Sequence, residues 1–344
     1  MSVADGRDGG AIRSLGFGVT MSVRMGFFLH TSLCERGKPV RSWGRGLDAA
    51  GVVGRRLRAD YGQAARFLVR TDPAGYAAVR VLAPAESQPH LLASFAFASY
   101  TDDVCDTGTL AERERRFNQW TGLVRAGLDT GRAEHPLLRA FLHTSAVSGL
   151  PRRWVESYLA GAQLDLAFAG FVNESDYQAY VDQNTWPFLM LITGLAQPEG
   201  GDEQFERSCR LLADGCQRTD FLADLAEDLR GGNLYLPTDD LERHGVTRGD
   251  LEQGRDTPGV RALISATADT AHATLRMASR IVDEVAERHR PLVSCVLGLH
   301  HLRLQAIARM GTGVTRGPVR NQAVACLRLL VQERRRTSEC RGRG

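Results

Sequence analysis

The sequence predicts an all-α protein. From about residue 60 to about residue 332, apolar residues recur with the spacing of one helix face, as in residues 137–142 and 326–330. Proline and glycine fall between these runs, whereas alternating strand patterns and Asn-Gly hairpin turns are nearly absent. We therefore expect one all-helical domain that is larger than a four-helix bundle.

Three segments are expected along the 344 residues. Residues 1–55 are rich in Gly and Arg and are expected to be a disordered extension. Residues 56–333 are expected to form the helical domain, and residues 334–344 a solvated basic tail.

The composition excludes several classes of protein. The 43 basic and 40 acidic residues nearly balance, so no nucleic-acid partner is expected. Seven cysteines without a Cys-x-x-Cys pair predict neither a disulfide framework nor a zinc site, which fits a cytoplasmic protein. No apolar run is long enough to cross a bilayer, so membrane contact would be peripheral at most.

A first group of carboxylates ends a long apolar run. Residues 91–98 are predicted to form a buried helix that continues into Asp102, Asp103 and Asp106. Asp102 and Asp106 are four residues apart, so both project from one helix face, where like charges repel. A helix that carries an apolar run into such a pair is expected to bind a cation there.

A second group of carboxylates lies near residue 224. Asp220, Asp224 and Asp228 are spaced by four residues and share one helix face, while Phe221 and Leu225 lie on the other face and are predicted to be core. The alternative interpretation is a polar helix face balanced by the many arginines. Two such groups on separate helices favour a functional role over that alternative.

These two groups are suited to Mg²⁺, which binds a few carboxylates together with substrate phosphates. Neither group contains the His and Cys pairs that Zn²⁺ and copper prefer. Two carboxylate helices facing each other across a cavity could hold Mg²⁺ ions that clamp a diphosphate, while apolar walls shelter a carbocation.

The same residues resemble motifs of the squalene and phytoene synthases. Residues 95–106, FAFASYTDDVCD, resemble the first aspartate-rich motif of that family. Residues 217–228, followed by residues 230–237, resemble the second motif and its Tyr-Leu-Pro loop. Residues 161–166, between them, resemble the Gly-Met-x-x-Asp-Leu stretch of the family. The resemblance implies an isoprenoid synthase fold, a single helical bundle around a central cavity, with allylic diphosphate substrates and Mg²⁺.

The resemblance also implies roles for individual residues. It implies metal ligands at Asp102, Asp106, Asp224 and Asp228, and the adjacent Asp103 and Asp220 are expected to be additional ligands. Asp165 and Gln217 are expected to be catalytic residues in the cavity, where Asp165 would orient an acceptor or take a proton from it. Substrate contacts are expected from Phe97, Ser99, Gln163, Trp186, Arg230, Asn233 and Tyr235.

The chain departs from the family pattern at several positions. Ser99, Ala223 and Asn233 stand where the family has arginine, and Asp220 stands where it has asparagine. Trp186 lies in a stretch where the family has small residues. Its indole could stack on a flat acceptor, stabilise a cation, or simply fill core.

The missing arginines shape the functional hypothesis, because a second buried diphosphate needs paired cations. The leading hypothesis is a Mg²⁺-dependent prenyltransferase that ionises one allylic prenyl diphosphate. Its prenyl group would be transferred to a hydrophobic, non-isoprenoid acceptor, expected to be aromatic, in secondary metabolism. Three alternatives remain. They are head-to-head condensation of two prenyl diphosphates, with Arg80, Arg230 or Arg276 supplying the charge, a terpene cyclase, and a catalytically inactive helical partner protein.

Overall fold

The computed structural model describes residues 43–106, 108–197, 203–319 and 323–341. Within these ranges every regular element is a helix, and the seventeen α-helices follow in chain order. They are α1 (Trp43–Ala49), α2 (Arg55–Thr71), α3 (Pro73–Leu82), α4 (Gln88–Asp106), α5 (Leu110–Thr130), α6 (Pro136–Ser148), α7 (Arg152–Asp165), α8 (Glu174–Tyr180), α9 (Trp186–Thr193), α10 (Glu203–Ala223), α11 (Leu225–Arg230), α12 (Thr238–Arg243), α13 (Arg248–Glu252), α14 (Pro258–Ala278), α15 (Ile281–Glu284), α16 (Arg290–Met310) and α17 (Ala323–Arg341). The all-α prediction is confirmed.

The ends of the helical domain differ from the predicted boundaries. Residues 1–42 of the predicted extension lie outside the described residues, but α1 falls within its last part and buries Leu47. Val52 is also fully buried, and both side chains pack against Tyr61 and Ala93. At the other end, α17 continues through the predicted start of the basic tail to Arg341. The basic residues there extend a helix whose Cys326 and Leu330 pack against α16.

Local sequence signals set several helix ends. The side chain of Thr109 accepts a hydrogen bond from the backbone N–H of Glu112, and the Glu112 carboxylate accepts one from the N–H of Thr109, which forms a capping box for α5. The same helix ends at Gly131, whose φ of 68° is the left-handed conformation that glycine adopts most easily. Pro136 occupies the first turn of α6, where a missing N–H costs nothing.

The core surrounds α4. This helix packs against α2, α5, α6 and α9, and α9 in turn contacts α10. Phe97 of α4 and Phe141 of α6 stack with ring centroids 3.8 Å apart. The long helices α14 and α16 pack on the other side of α10. Helix α9 therefore contacts both α4, which carries the first aspartate group, and α10, which carries Asp220 of the second.

A π-helical turn, Val181–Thr185, joins α8 to α9. It lies directly against Gly161 of α7, where an added Cβ would come within 2.1 Å of the Gln183 carbonyl oxygen and 2.7 Å of the Asn184 Cα. Only glycine permits this approach. A π-turn inside a helical run often marks a functional site, and this one carries Asn184 and Thr185 into the interior.

Two expectations about the chain's surroundings can be compared with the structure. None of the helices in the described part of the chain is long and apolar enough to cross a membrane. Of the cysteines in that part, Cys105, Cys209, Cys216, Cys295 and Cys326 are free and buried. They are small core residues.

Candidate active site

The first aspartate group stands at the end of α4. Asp102 is only 7% exposed. The hydroxyl of Tyr158, on α7, lies 2.8 Å from Asp102 Oδ1 and 2.9 Å from the carbonyl oxygen of Ala98. Asp103 is exposed, and the side chain of Asp106 lies outside the described residues. A tyrosine from a neighbouring helix therefore fixes the Asp102 carboxylate.

The second aspartate group does not lie on one continuous helix. Helix α10 ends at Ala223, Asp224 has φ −101° and ψ 4°, and α11 begins at Leu225. The N–H of Asp224 still donates to the Asp220 carbonyl at 2.9 Å, and the N–H of Asp228 to the Asp224 carbonyl at 2.9 Å. These bonds preserve the four-residue spacing through the break, so the predicted shared face remains although the predicted single helix does not.

An arginine that the sequence analysis did not single out pairs with this group. Arg303 Nη1, on α16, lies 2.5 Å from Asp220 Oδ1, and Arg303 Nη2 lies 3.2 Å from Asp224 Oδ1. Nε2 of His300, one turn earlier on α16, lies 3.8 Å from Asp220 Oδ1. Asp220 is therefore committed to a buried ion pair, in partial agreement with the alternative that arginine balances these carboxylates.

Asp228 lies among other carboxylates. Burial, together with the charges of Asp224, Glu227 and Asp220, raises its pKa to about 8. Each of these carboxylates disfavours ionisation of Asp228. A cation placed among them would reverse that effect.

Asp165, predicted to be catalytic, is buried at the end of α7. Its Oδ2 accepts hydrogen bonds from Asn184 Nδ2 at 2.7 Å and from the Tyr180 hydroxyl at 3.2 Å. Oδ1 of the same carboxylate is buried and has no hydrogen-bond partner among the described residues. Burial raises the pKa of Asp165 to about 7 against the opposing effect of these two donors. Asp165 can therefore gain or lose a proton near neutral pH.

Two buried tyrosines, Tyr235 and Tyr180, lie close enough to aspartates of different helices for the charges of those aspartates to shift their pKa values. Tyr235, in the predicted Tyr-Leu-Pro loop, is stacked between Phe168 and Phe221 with centroid distances of 4.4 and 4.3 Å. Burial raises its pKa, and the charges of Asp165 and Asp228 raise it further.

The pKa of Tyr180 is likewise shifted by a carboxylate of α4, Asp102. Burial raises its pKa well above the usual range, and both Asp165 and Asp102 add to the shift. Carboxylates from α4, α7 and α11 thus act on two neighbouring buried phenols. The structure brings Asp102, Asp165 and Asp228 into one polar region.

The remaining predicted site residues differ in their burial and in their surroundings. Gln217 is buried on α10, where its Oε1 accepts a hydrogen bond of 2.9 Å from Thr185. Ser99 is half-buried, one turn before Asp102. Phe97 does not line an open space, because it is fully buried and stacked on Phe141 in the core.

Four further predicted substrate contacts lie nearer the surface. Gln163 and Arg230 are exposed, and Asn233 is half-buried with its N–H donating to the Asp228 carbonyl at 2.8 Å. Trp186 is half-buried against Trp154, with ring centroids 5.1 Å apart. Its indole therefore has an aromatic partner within the protein, as the core-filling alternative predicts.

An apolar cavity lies below both aspartate groups. It is enclosed by α3, α4, α9, α10 and α16, with Phe95, Leu212 and Leu299 among its walls. Phe95 precedes Asp102 by seven residues and Leu212 precedes Asp220 by eight, which is about 10–12 Å along each helix axis. Charged side chains therefore stand at one end of the site and an apolar pocket at the other.

No preformed metal cage is present in the part of the chain that the structure describes, since no three carboxylate, imidazole or thiol groups converge there.

Comparison with known proteins agrees with this arrangement. The family model for squalene/phytoene synthase matches residues 68–325. The chain belongs to the squalene/phytoene synthase family. The predicted resemblance is confirmed, and the match includes both aspartate groups, Asp165 and Arg303.

Individual members of the squalene/phytoene synthase family cover the chain to different extents. The bifunctional protein CrtB/UppS of Streptomyces coelicolor is 33% identical over 237 residues, which is 67% of this chain and 40% of that protein. Presqualene diphosphate synthase of Rhodopseudomonas palustris is 24% identical over 262 residues, which is 75% of this chain and 91% of that protein. This chain therefore spans less than half the length of the bifunctional relative.

A solved member confirms the predicted isoprenoid synthase fold. The crystal structure of squalene synthase HpnC from Alicyclobacillus acidocaldarius is similar to this structure with a TM-score of 0.69 at 25% identity. The similarity covers 76% of this chain and 98% of that one.

The residues that sequence reasoning missed are mainly those that hold the aspartates. Tyr158 and Tyr180 are indistinguishable in the sequence from core aromatics. Arg303 carries a weak signal, since it stands three residues after His300 on a helix that is otherwise largely apolar on that face. A buried arginine on an apolar helix face requires an acidic partner.

Proposed function

We propose that this family member is a prenyltransferase that joins two prenyl diphosphates head to head. The observation that carries the proposal is the gathering of Asp102, Asp165 and Asp228 around Tyr180 and Tyr235, together with an apolar cavity that α4 and α10 also line. The polar end of the site matches the diphosphate of a prenyl diphosphate, and the apolar cavity matches its hydrocarbon chain. The names of the relatives, among them presqualene diphosphate synthase, also support this reaction.

The apolar cavity would bind prenyl chains. Hydrocarbon surface moved from water into such a pocket gains about 25 cal/mol per Å². Phe95, Leu189 and Leu292, from three different helices, contribute apolar walls. Closed apolar walls would also keep water away from an allylic cation until it meets the second prenyl chain.

The aspartates fit Mg²⁺. Magnesium binds through one or two carboxylates and takes its remaining ligands from substrate phosphates and water, so a three-residue cage is not required. Asp224 is 40% exposed beside Asp228, whose raised pKa reflects burial and neighbouring carboxylates that a divalent cation would neutralise. When bound, Mg²⁺ would neutralise the diphosphate as a leaving group.

The surrounding residues would keep the site in order. Tyr158 holds Asp102, while Asn184 and Tyr180 hold Asp165. With a pKa of about 7, Asp165 is suited to exchange a proton close to the reacting chains, and its unpartnered Oδ1 has the free lone pairs for this. Gln217, anchored by Thr185, would face the same region.

Transfer of a single prenyl group to a non-isoprenoid acceptor, the leading sequence hypothesis, receives less support. It depended on the absence of three arginines and on a free indole face at Trp186. Arg303 supplies a cation at the second aspartate group, and Trp186 packs against Trp154. Neither relative described above is named as a transferase to such an acceptor.

Product analysis tests the proposal. The purified protein should be incubated with MgCl₂ and farnesyl or geranylgeranyl diphosphate, without any acceptor. A product that contains two prenyl units is expected, and Asp102→Ala or Asp224→Ala should abolish it. Asp269→Asn, which changes an exposed aspartate on α14, is the matched control and should leave turnover unchanged. Turnover only after addition of an aromatic acceptor, or a cyclic product with one prenyl unit, would contradict the proposal.

A further inference from the structure

The pair formed by Arg303 and Asp220 is the most deeply buried ion pair of the candidate site. The side chains are 7% and 8% exposed, and Arg303 Nη1 lies 2.5 Å from Asp220 Oδ1. Arg303 Nη2 reaches Asp224, whose side chain is 40% exposed. The guanidinium thus extends from a buried anchor towards the open side of the aspartate group.

Arg303 retains an unused donor. A guanidinium has five N–H groups arranged to fit carboxylate and phosphate oxygens. The Asp220 and Asp224 carboxylates accept from Nη1 and Nη2, but the Nε–H is buried and has no hydrogen-bond partner among the described residues. A buried donor of a charged group without an acceptor is unfavourable. An anionic oxygen arriving at this edge would relieve that cost.

Around the second aspartate group, the charged residues of this chain differ from those of the resembled family. Ala223 stands where the resembled family has arginine, and its side chain is fully buried in the core. Asp220 stands where the family has asparagine, and it is the residue that anchors Arg303. One cation is lost from α10, and an arginine on α16 with a new carboxylate partner appears within contact of the same aspartates.

We propose that Arg303 is the diphosphate-binding cation of the second aspartate group and that Asp220 positions it instead of ligating metal. This inference rests on the proposed function. In it, Asp224 and Asp228 are left to hold Mg²⁺, and Arg303 binds phosphate oxygens beside them. Arginine is the side chain best suited to bidentate contact with phosphate.

Binding of inorganic diphosphate in excess MgCl₂, measured by isothermal titration calorimetry, tests the inference without turnover. Arg303→Lys keeps the positive charge but loses the bidentate geometry, and should weaken binding about 10-fold. Arg303→Met removes the cation and should weaken binding about 100-fold. Equal dissociation constants for wild type and both variants would show that the pair is only structural and would overturn the inference.

Arg218→Met is the matched control. Arg218 lies on α10, is also 7% exposed, and pairs with Asp214 at 2.8 Å, but on the face of α10 that contacts Tyr177. Loss of this buried pair should lower the melting temperature as loss of Arg303 does, while the affinity for diphosphate should not change. An equal loss of affinity in Arg218→Met would attribute the effect to stability alone and overturn the inference.

The role of Asp220 has a separate readout. The MgCl₂ concentration that gives half of the maximal diphosphate affinity should rise in Asp224→Asn and stay at the wild-type value in Asp220→Asn. Asp220→Glu should restore the diphosphate affinity that Asp220→Asn loses. A shifted magnesium requirement in Asp220→Asn would make Asp220 a metal ligand and contradict its positioning role. Failure of the wild-type protein to bind diphosphate would instead overturn the proposed function itself.

Discussion

The Tyr158 hydroxyl on α7 lies 2.8 Å from the buried Asp102 carboxylate on α4, and this contact joins the two helices at the first aspartate group. Tyr158 is itself 1% exposed. The contact also explains why a carboxylate can be tolerated at the end of an apolar helix, because a buried charge requires a donor.

Tyr158→Phe removes that donor and leaves the rest of the ring in place. We expect a loss of about 1.5–3 kcal/mol in the free energy of unfolding, the usual contribution of a hydrogen bond to a charged group. Thermal unfolding would measure it. Tyr76→Phe is the control, since Tyr76 is half-buried and its hydroxyl makes no hydrogen bond to the described residues. An equal effect of both substitutions would contradict the role given to Tyr158.

Gly161→Ala should be far more damaging than an ordinary glycine substitution. Its Cβ would lie 2.1 Å from the Gln183 carbonyl oxygen, so the π-turn must move and carry Asn184 away from Asp165. We expect a destabilisation of about 1–3 kcal/mol and loss of turnover. Gly122→Ala, on an exposed and open stretch of α5, should instead be neutral or stabilising. Normal turnover in Gly161→Ala would show that the close approach has no functional importance.

Asp165 should make stability depend on pH. Its pKa is raised from 3.8 to about 7 in the folded protein, so the folded state binds more protons than the unfolded state between these values. The contribution of Asp165 to the free energy of unfolding is therefore fully present below about pH 4 and is lost as the pH rises towards 7. The melting temperature of Asp165→Asn should therefore fall less between pH 5 and pH 7.5 than that of the wild type, by about 2 °C or more. Parallel curves for the two proteins would contradict the assignment.

Asp228→Asn should separate stability from function. Burial and neighbouring carboxylates raise the pKa of Asp228 to about 8, so a neutral amide suits the metal-free protein at least as well. We expect an unchanged or higher melting temperature without metal. The stabilisation gained on adding MgCl₂ with diphosphate should be smaller than in the wild type, as differential scanning fluorimetry would show. A full metal-dependent shift in this variant would exclude Asp228 as a ligand.

The sequence was sufficient to predict the fold class and the position of both aspartate groups. Helical periodicity is a local signal, and the four-residue spacing of Asp220, Asp224 and Asp228 defines one face whether or not the helix is continuous. The break at Asp224 could not be predicted, because the backbone hydrogen bonds that maintain the spacing are compatible with an unbroken helix too.

Contacts between distant segments were beyond sequence reasoning. Arg303 is 83 residues from Asp220, and Tyr158 is 56 residues from Asp102. Nothing in the local pattern distinguishes these side chains from others of their type, so the charge balance of the site appeared more negative than it is. Phe97 shows the converse error, since proximity to a motif suggested a substrate contact where the structure has a core stack.

An isotope experiment tests the central claim most directly. The protein should be incubated with MgCl₂ and an equal mixture of unlabelled and fully deuterated farnesyl diphosphate, and the product analysed by mass spectrometry. Head-to-head coupling predicts three product masses, including a mixed product with one labelled and one unlabelled half. A product that is either fully labelled or fully unlabelled, with no mixed species, would mean that only one prenyl diphosphate enters each product and would contradict the account.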